Sequence, residues 1–140
     1  MKLYHGTSIA AMEKIQREGL NPVDWALGVY FTDLPEVAET FCKFTPFKTG
    51  CAAMCEVALK DLDKKSLETD WVMVEDPTRL VADLAGCLDE NEDVDRECWA
   101  NHLLTGPDRD RDWEKSLEVA HSVLYIGSVP ANKIRCRVVP

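Results

Sequence analysis

Tyr4-His5-Gly6-Thr7-Ser8 and, twenty residues on, Gly28-Val29-Tyr30-Phe31-Thr32-Asp33 are the two stretches on which the reading of this chain turns. In each, a short apolar or aromatic run ends in polar residues and glycine just ahead of a helix signal. Lys2-Leu3-Tyr4-His5 reads as a first strand. Ser8 then caps a helix through about Glu18, with Ile9, Met12 and Ile15 on one face and Gly19 as its stop. Leu20-Asn21-Pro22 makes a turn and residues 23–28 a loop. Val29 to Thr32, β-branched and aromatic, form a second strand. Asp33-Leu34-Pro35-Glu36 has the form of a capping box with proline in the first turn. It opens a helix that buries Val37, Ala38, Phe41 and Phe44 and ends in a loop marked by Pro46 and Gly50.

Further along, Ala52 to Leu59 reads as a third strand. Residues 60–76 are rich in turns and hold Trp71-Val72-Met73-Val74, a short strand by composition. Thr78 to Leu88 has helical spacing, with Leu80, Val81, Leu84 and Cys87 on one side. The polar stretch 89–97 is a loop or a solvated helix start. Two short helices, 97–104 and 112–121, are separated by Gly106-Pro107. Strand signal returns in Ser122–Ile126 and Ile134–Val138. With 140 residues, 46% of them hydrophobic, and no repeat or linker, the chain reads as one α+β domain spanning residues 1–140.

Charge bounds the partners. Sixteen basic against 25 acidic residues give a net −9, which disfavours a duplex nucleic-acid binder, whose affinity comes from neutralising phosphates. Residues 88–118 alone carry four basic and eleven acidic groups. Such a segment can dock on a basic protein or imitate a nucleic acid; its plainer use is a solvated face. No run approaches a membrane span, and a cytoplasmic location is expected. The six cysteines are therefore expected as reduced thiols. Cys51 and Cys55 are the only close pair; without a neighbouring histidine they read as small buried side chains rather than a zinc site, so no metal is expected.

Taken together, the His-Gly-Thr strand end, the Gly19-Leu20-Asn21-Pro22 turn and the Gly-Val-Tyr-Phe-Thr-Asp strand before an Ala/Phe-rich helix resemble the opening of the ADP-ribosyltransferase superfamily. The likeness is to its poly-ADP-ribose-polymerase and diphtheria-toxin-like branch, which uses a His–Tyr–Glu triad. The resemblance covers residues 3–45 and returns in Tyr125-Ile126-Gly127-Ser128-Val129-Pro130 with Ile134, similar to the close of small bacterial and phage members. The resemblance implies split, mainly antiparallel sheets flanked by helices around an NAD cleft. His5 would bond a ribose hydroxyl of the adenosine half, Gly6 would hold the nicotinamide carboxamide through its backbone, and Thr7 would support that turn. Tyr30 would stack on the nicotinamide, with Phe31 and Thr32 beside it. The third triad position departs from the pattern, because the late strand begins at Ser122. Glu118 is the nearest carboxylate and is taken as the catalytic one; Asp70 competes for the same role.

The activity so implied is transfer of ADP-ribose from NAD to a macromolecule, a protein more readily than a nucleic acid. The chain would be a monomer, working as a bacterial toxin or a phage-encoded anti-defence effector of the anti-CRISPR kind, in the bacterial or host cytoplasm. Two alternatives stand beside it. One is a catalytically silent domain that binds NAD or a partner and inhibits sterically through its acidic 88–118 segment. The other is a relative of the RNA 2′-phosphotransferases, ranked lower because Arg17, Arg79, Arg135 and Arg137 form no evident phosphate cluster.

Overall fold

The computed structural model describes residues 1–21, 28–44, 52–105 and 112–139, the side chains of 41–44 and 52 excepted. The expected turn at Pro22, the loops at 23–27, Pro46 and Gly50, the burial of Phe41 and Phe44, the Gly106-Pro107 break, Cys42 and Cys51 all lie outside it.

Six strands form one sheet. In chain order they are β1 (Lys2–Ser8), β2 (Val29–Thr32), β3 (Ala52–Ala58), β4 (Leu67–Thr69), β5 (Ser122–Tyr125) and β6 (Ile134–Val139). In space they run β4-β5-β2-β1-β3-β6. The pairings of β1 with β2, β1 with β3 and β3 with β6 are antiparallel. The chain is thus α+β, with β1 at the centre. Seven residue pairs join β1 to β3, from Lys2↔Ala58 to Ser8↔Ala52, while Tyr4↔Thr32 is the one register pair between β1 and β2. The expected split into separate sheets is not seen: the six described strands follow one another in a single sheet.

Register and alternation sort the side chains onto two faces. One carries Leu3, His5 and Thr7 with their partners Val57, Cys55 and Ala53; the other carries Tyr4, Gly6 and Ser8 with Glu56 and Met54. Thr32 shares the Tyr4 face through its pairing, and Tyr30, two residues earlier, shares it too. Helix α1 (Ile9–Glu18) begins where Ser8 accepts a hydrogen bond from the Ala11 N–H, and buries Met12 and Ile15. It stops at Gly19, whose N–H bonds the Ile15 carbonyl and whose φ of 77° suits glycine. A Cβ there would run into the Val129 carbonyl oxygen, because Leu20 and Val129 pair at that point. Helix α2 (Pro35–Phe44) starts one residue later than the capping box suggests. The Leu34 carbonyl accepts from Val37 and Ala38, and the Thr32 hydroxyl accepts from the Leu34 N–H.

Contacts divide the chain into two compact units, Met1–Leu67 with Leu124–Pro140, and Glu68–Val123. The first contains the core of Leu3, Ile15, Phe31, Val37, Met54, Val57 and Tyr125, all nearly inaccessible. The second is helical: α3 (Trp71–Glu75), α4 (Arg79–Leu84), α5 (Arg96–Leu103) and α6 (Trp113–Ala120). Each of these short helices is started by a side chain. Asp70, Thr78, Asp95 and Asp112 accept from the N–H groups of Met73, Val81, Cys98 and Glu114 at 2.9 to 3.3 Å.

This unit corrects three expectations. Trp71–Val74 is helix, not strand, because the Asp70 cap overrides the strand preference of tryptophan and valine. The short strand Leu67–Thr69 lies just before it instead, and α4 ends at Leu84 rather than Leu88. Finally, Cys87 and Cys98 are joined as a disulfide across a separation of 11 residues, against the expectation of reduced thiols throughout.

Candidate functional site

The β1–β2 seam brings His5 and Tyr30 together through the backbone. The His5 Nδ1 lies 3.0 Å from the Tyr30 carbonyl oxygen. A carbonyl can only accept, so Nδ1 carries the proton and Nε2 is left as the basic nitrogen. Burial pushes the imidazole below its ordinary pKa of 6.5, while the bond to Tyr30 acts more weakly in the other direction. The ring is therefore neutral. It packs edge-on against Phe31, with centroids 6.0 Å apart, and Phe31 in turn meets Tyr125 edge-on at 6.2 Å. Of the two aromatic residues on β2, Phe31 is the core one and Tyr30 is half-buried.

The two rings leave the sheet on opposite faces. Tyr30 shares its face with Gly6 and with Thr32, which is buried and whose hydroxyl accepts from the Leu34 N–H at the start of α2. Thr7 is buried on the His5 side. His5 as placed does not fit the ribose role, since its Nδ1 is bound to the Tyr30 carbonyl and its Nε2 is enclosed. In this structure it is a positioning residue for β2.

The two candidate carboxylates belong to the helical unit and differ sharply. Asp70 is 2% exposed with both oxygens engaged. Its Oδ1 accepts from the Met73 N–H at 3.0 Å, and its Oδ2 accepts from the Ser122 hydroxyl at 2.5 Å. Ser116 completes the cluster: its hydroxyl accepts from the Asp70 N–H at 3.0 Å and donates to the Ser122 carbonyl at 2.6 Å. Glu118 is exposed on α6. Sequence reasoning did not find Ser116 and Ser122, because a serine carries no periodic signal.

The remaining histidines serve packing. The His102 Nε2 donates to the Val119 carbonyl at 2.8 Å and its ring leans on Trp99, whose Nε1 donates to the Val74 carbonyl at 2.8 Å. His121 closes α6 in the left-handed conformation. A cavity of about 340 Å³ in the sheet unit is lined by Lys2, Glu56, Asp61, Asn132, Lys133 and Arg135. Within it Lys2 pairs with Glu56 at 2.9 Å and Lys133 with Asp61 at 3.9 Å. Among the described residues no group of three or more His, Cys, Asp or Glu is placed to hold a metal ion, and no helix is long and apolar enough to cross a membrane. Comparison with family models, with curated proteins and with solved structures finds no match to this chain.

Proposed function

We propose that the chain is an ADP-ribosyltransferase that takes ADP-ribose from NAD and places it on a macromolecular acceptor, a protein in preference to a nucleic acid. The observation that carries this reading is the half-buried Tyr30 ring on the same face as Gly6, with β2 tied to β1 by the His5–Tyr30 bond. NAD supplies the glycosidic bond to be broken, and this chain supplies the surface that orients it. Tyr30 offers a stacking plane and Gly6 offers N–H and C=O groups to a carboxamide. His5 holds the spacing between them. By the resemblance, Glu118 on α6 is the carboxylate proposed to stabilise developing positive charge on the sugar. The net −9 favours a basic protein as acceptor.

The test is nicotinamide release from labelled NAD, alone and with a cell lysate. Release with label fixed to a lysate protein, abolished by Tyr30→Ala and reduced at least about tenfold by Glu118→Gln, supports the transferase. A second reading, a silent domain that binds NAD or a partner, is favoured by the occupation of Asp70 and the enclosure of His5. It predicts thermal stabilisation by NAD, lost in Tyr30→Ala, without release. Neither release nor binding sinks both.

A further inference from the structure

Cys55 on β3 stands directly opposite Cys136 on β6. Opposed residues in antiparallel strands project to the same face with Cα atoms about 4.5–5.5 Å apart, inside the range a disulfide spans. The two Sγ atoms are 2.8 Å apart. Cys55 is fully buried, whereas Cys136 is partly open on the strand that ends the sheet order. Elsewhere in the same chain Cys87 and Cys98 are already bridged.

We infer that Cys55 and Cys136 are a second redox site, a dithiol that closes to a disulfide by exchange with a small soluble disulfide, Cys136 reacting first and Cys55 resolving. The order follows from access, since a reagent reaches the edge strand but not the buried sulfur behind it. The contact with Cys55 also lowers the Cys136 thiol pKa, which favours the attacking thiolate. The Cys136 thiolate attacks one sulfur of the reagent, the reagent's S–S bond breaks and one thiolate leaves. Cys55 then attacks the Cys136 sulfur of the mixed disulfide and expels the second thiolate. The two departing thiolates take up the protons lost by Cys136 and Cys55. Two protein thiols and one small disulfide become one protein disulfide and two small thiols. None of this depends on the NAD reading.

The experiment uses the whole chain, reduced and desalted, then incubated with oxidised glutathione, blocked with an alkylating agent under denaturing conditions and mapped by mass spectrometry without reduction. Wild type should give the peptides of Cys55 and Cys136 linked, lighter by two hydrogens than the unlinked pair. Cys55→Ser should trap glutathione on Cys136, and Cys136→Ser should leave Cys55 unmodified until denatured. A wild-type map in which Cys136 keeps glutathione while Cys55 alkylates, or in which either residue links to another cysteine, overturns the proposal. So does a map in which both residues alkylate. The wild-type map decides the matter even where a variant fails to fold.

Discussion

His5 is held neutral by burial, and that has a pH consequence of definite sign. Its folded pKa lies below the unfolded 6.5, so the unfolded chain binds the extra proton first as pH falls. The stability concerned is present above the unfolded value and is lost as pH drops from there toward the folded one. We expect the urea midpoint to fall between about pH 7.5 and 5 by more in wild type than in His5→Gln. An equal fall in both would show that His5 contributes nothing. Gly28 is a second residue with a sharp expectation: its φ is 99° and an added Cβ would stand 2.6 Å from the Tyr125 carbonyl oxygen. Gly28→Ala should cost about 2–4 kcal/mol, read from denaturant unfolding. The two carboxylates separate cleanly by the same measurement. Asp70→Ala strips a helix cap and leaves the Ser122 hydroxyl buried without its acceptor, a loss of about 2–4 kcal/mol. Glu118→Gln, on an exposed turn of α6, should stay within about 0.5 kcal/mol. Much of this was legible in the sequence. Ser8, Gly19, His5 and Tyr30 announce themselves by type and spacing. The enclosure of His5 and the sealing of Asp70 depend on which strands meet, and no local pattern encodes that.

At the scale of elements, local chemistry decides where propensity misleads. Trp71-Val72-Met73-Val74 has the composition of a strand, yet one aspartate before it turns it into helix. The signal was present in Asp70 and was outweighed by the β-branched run that follows. The same device explains part of the acidic bias of residues 88–118. Asp95 and Asp112 cap helices, and Asp89 accepts from the N–H groups of Asn91 and Asp93. On the surface Arg79 pairs with Asp93 at 3.1 Å, and Arg96 reaches Asp76, outside the segment, at 2.8 Å, each for modest gain. The segment's charge is therefore partly structural, which weakens a purely docking account of it. The Cys87–Cys98 bridge was invisible in spacing because six cysteines allow many pairings. It should be worth about 2–3 kcal/mol to the unfolding of this helical unit. The check is Cys98→Ser protein, followed by tryptophan fluorescence in urea; an unchanged midpoint would contradict it.

For the molecule as a whole, the sequence conveyed the α+β class and the first three strands, because period-2 and period-3.6 runs alternate cleanly through residues 1–59. It did not convey the strand order, which only long-range pairing sets. That order gives the sheet two rims, and each rim is defended. Among the described strands, β4 is three residues long, too short to template a neighbour. β6 is six residues long and would be an inviting template, but it displays Arg135 and Arg137 in alternation. An incoming copy of the same strand would have to bury like charges side by side. The cost of that encounter acts as a colloidal safeguard, built into the pleat rather than into net charge. Replacing both arginines by threonine should leave the fold intact yet raise light scattering at high protein concentration, as the rim becomes open to recruitment.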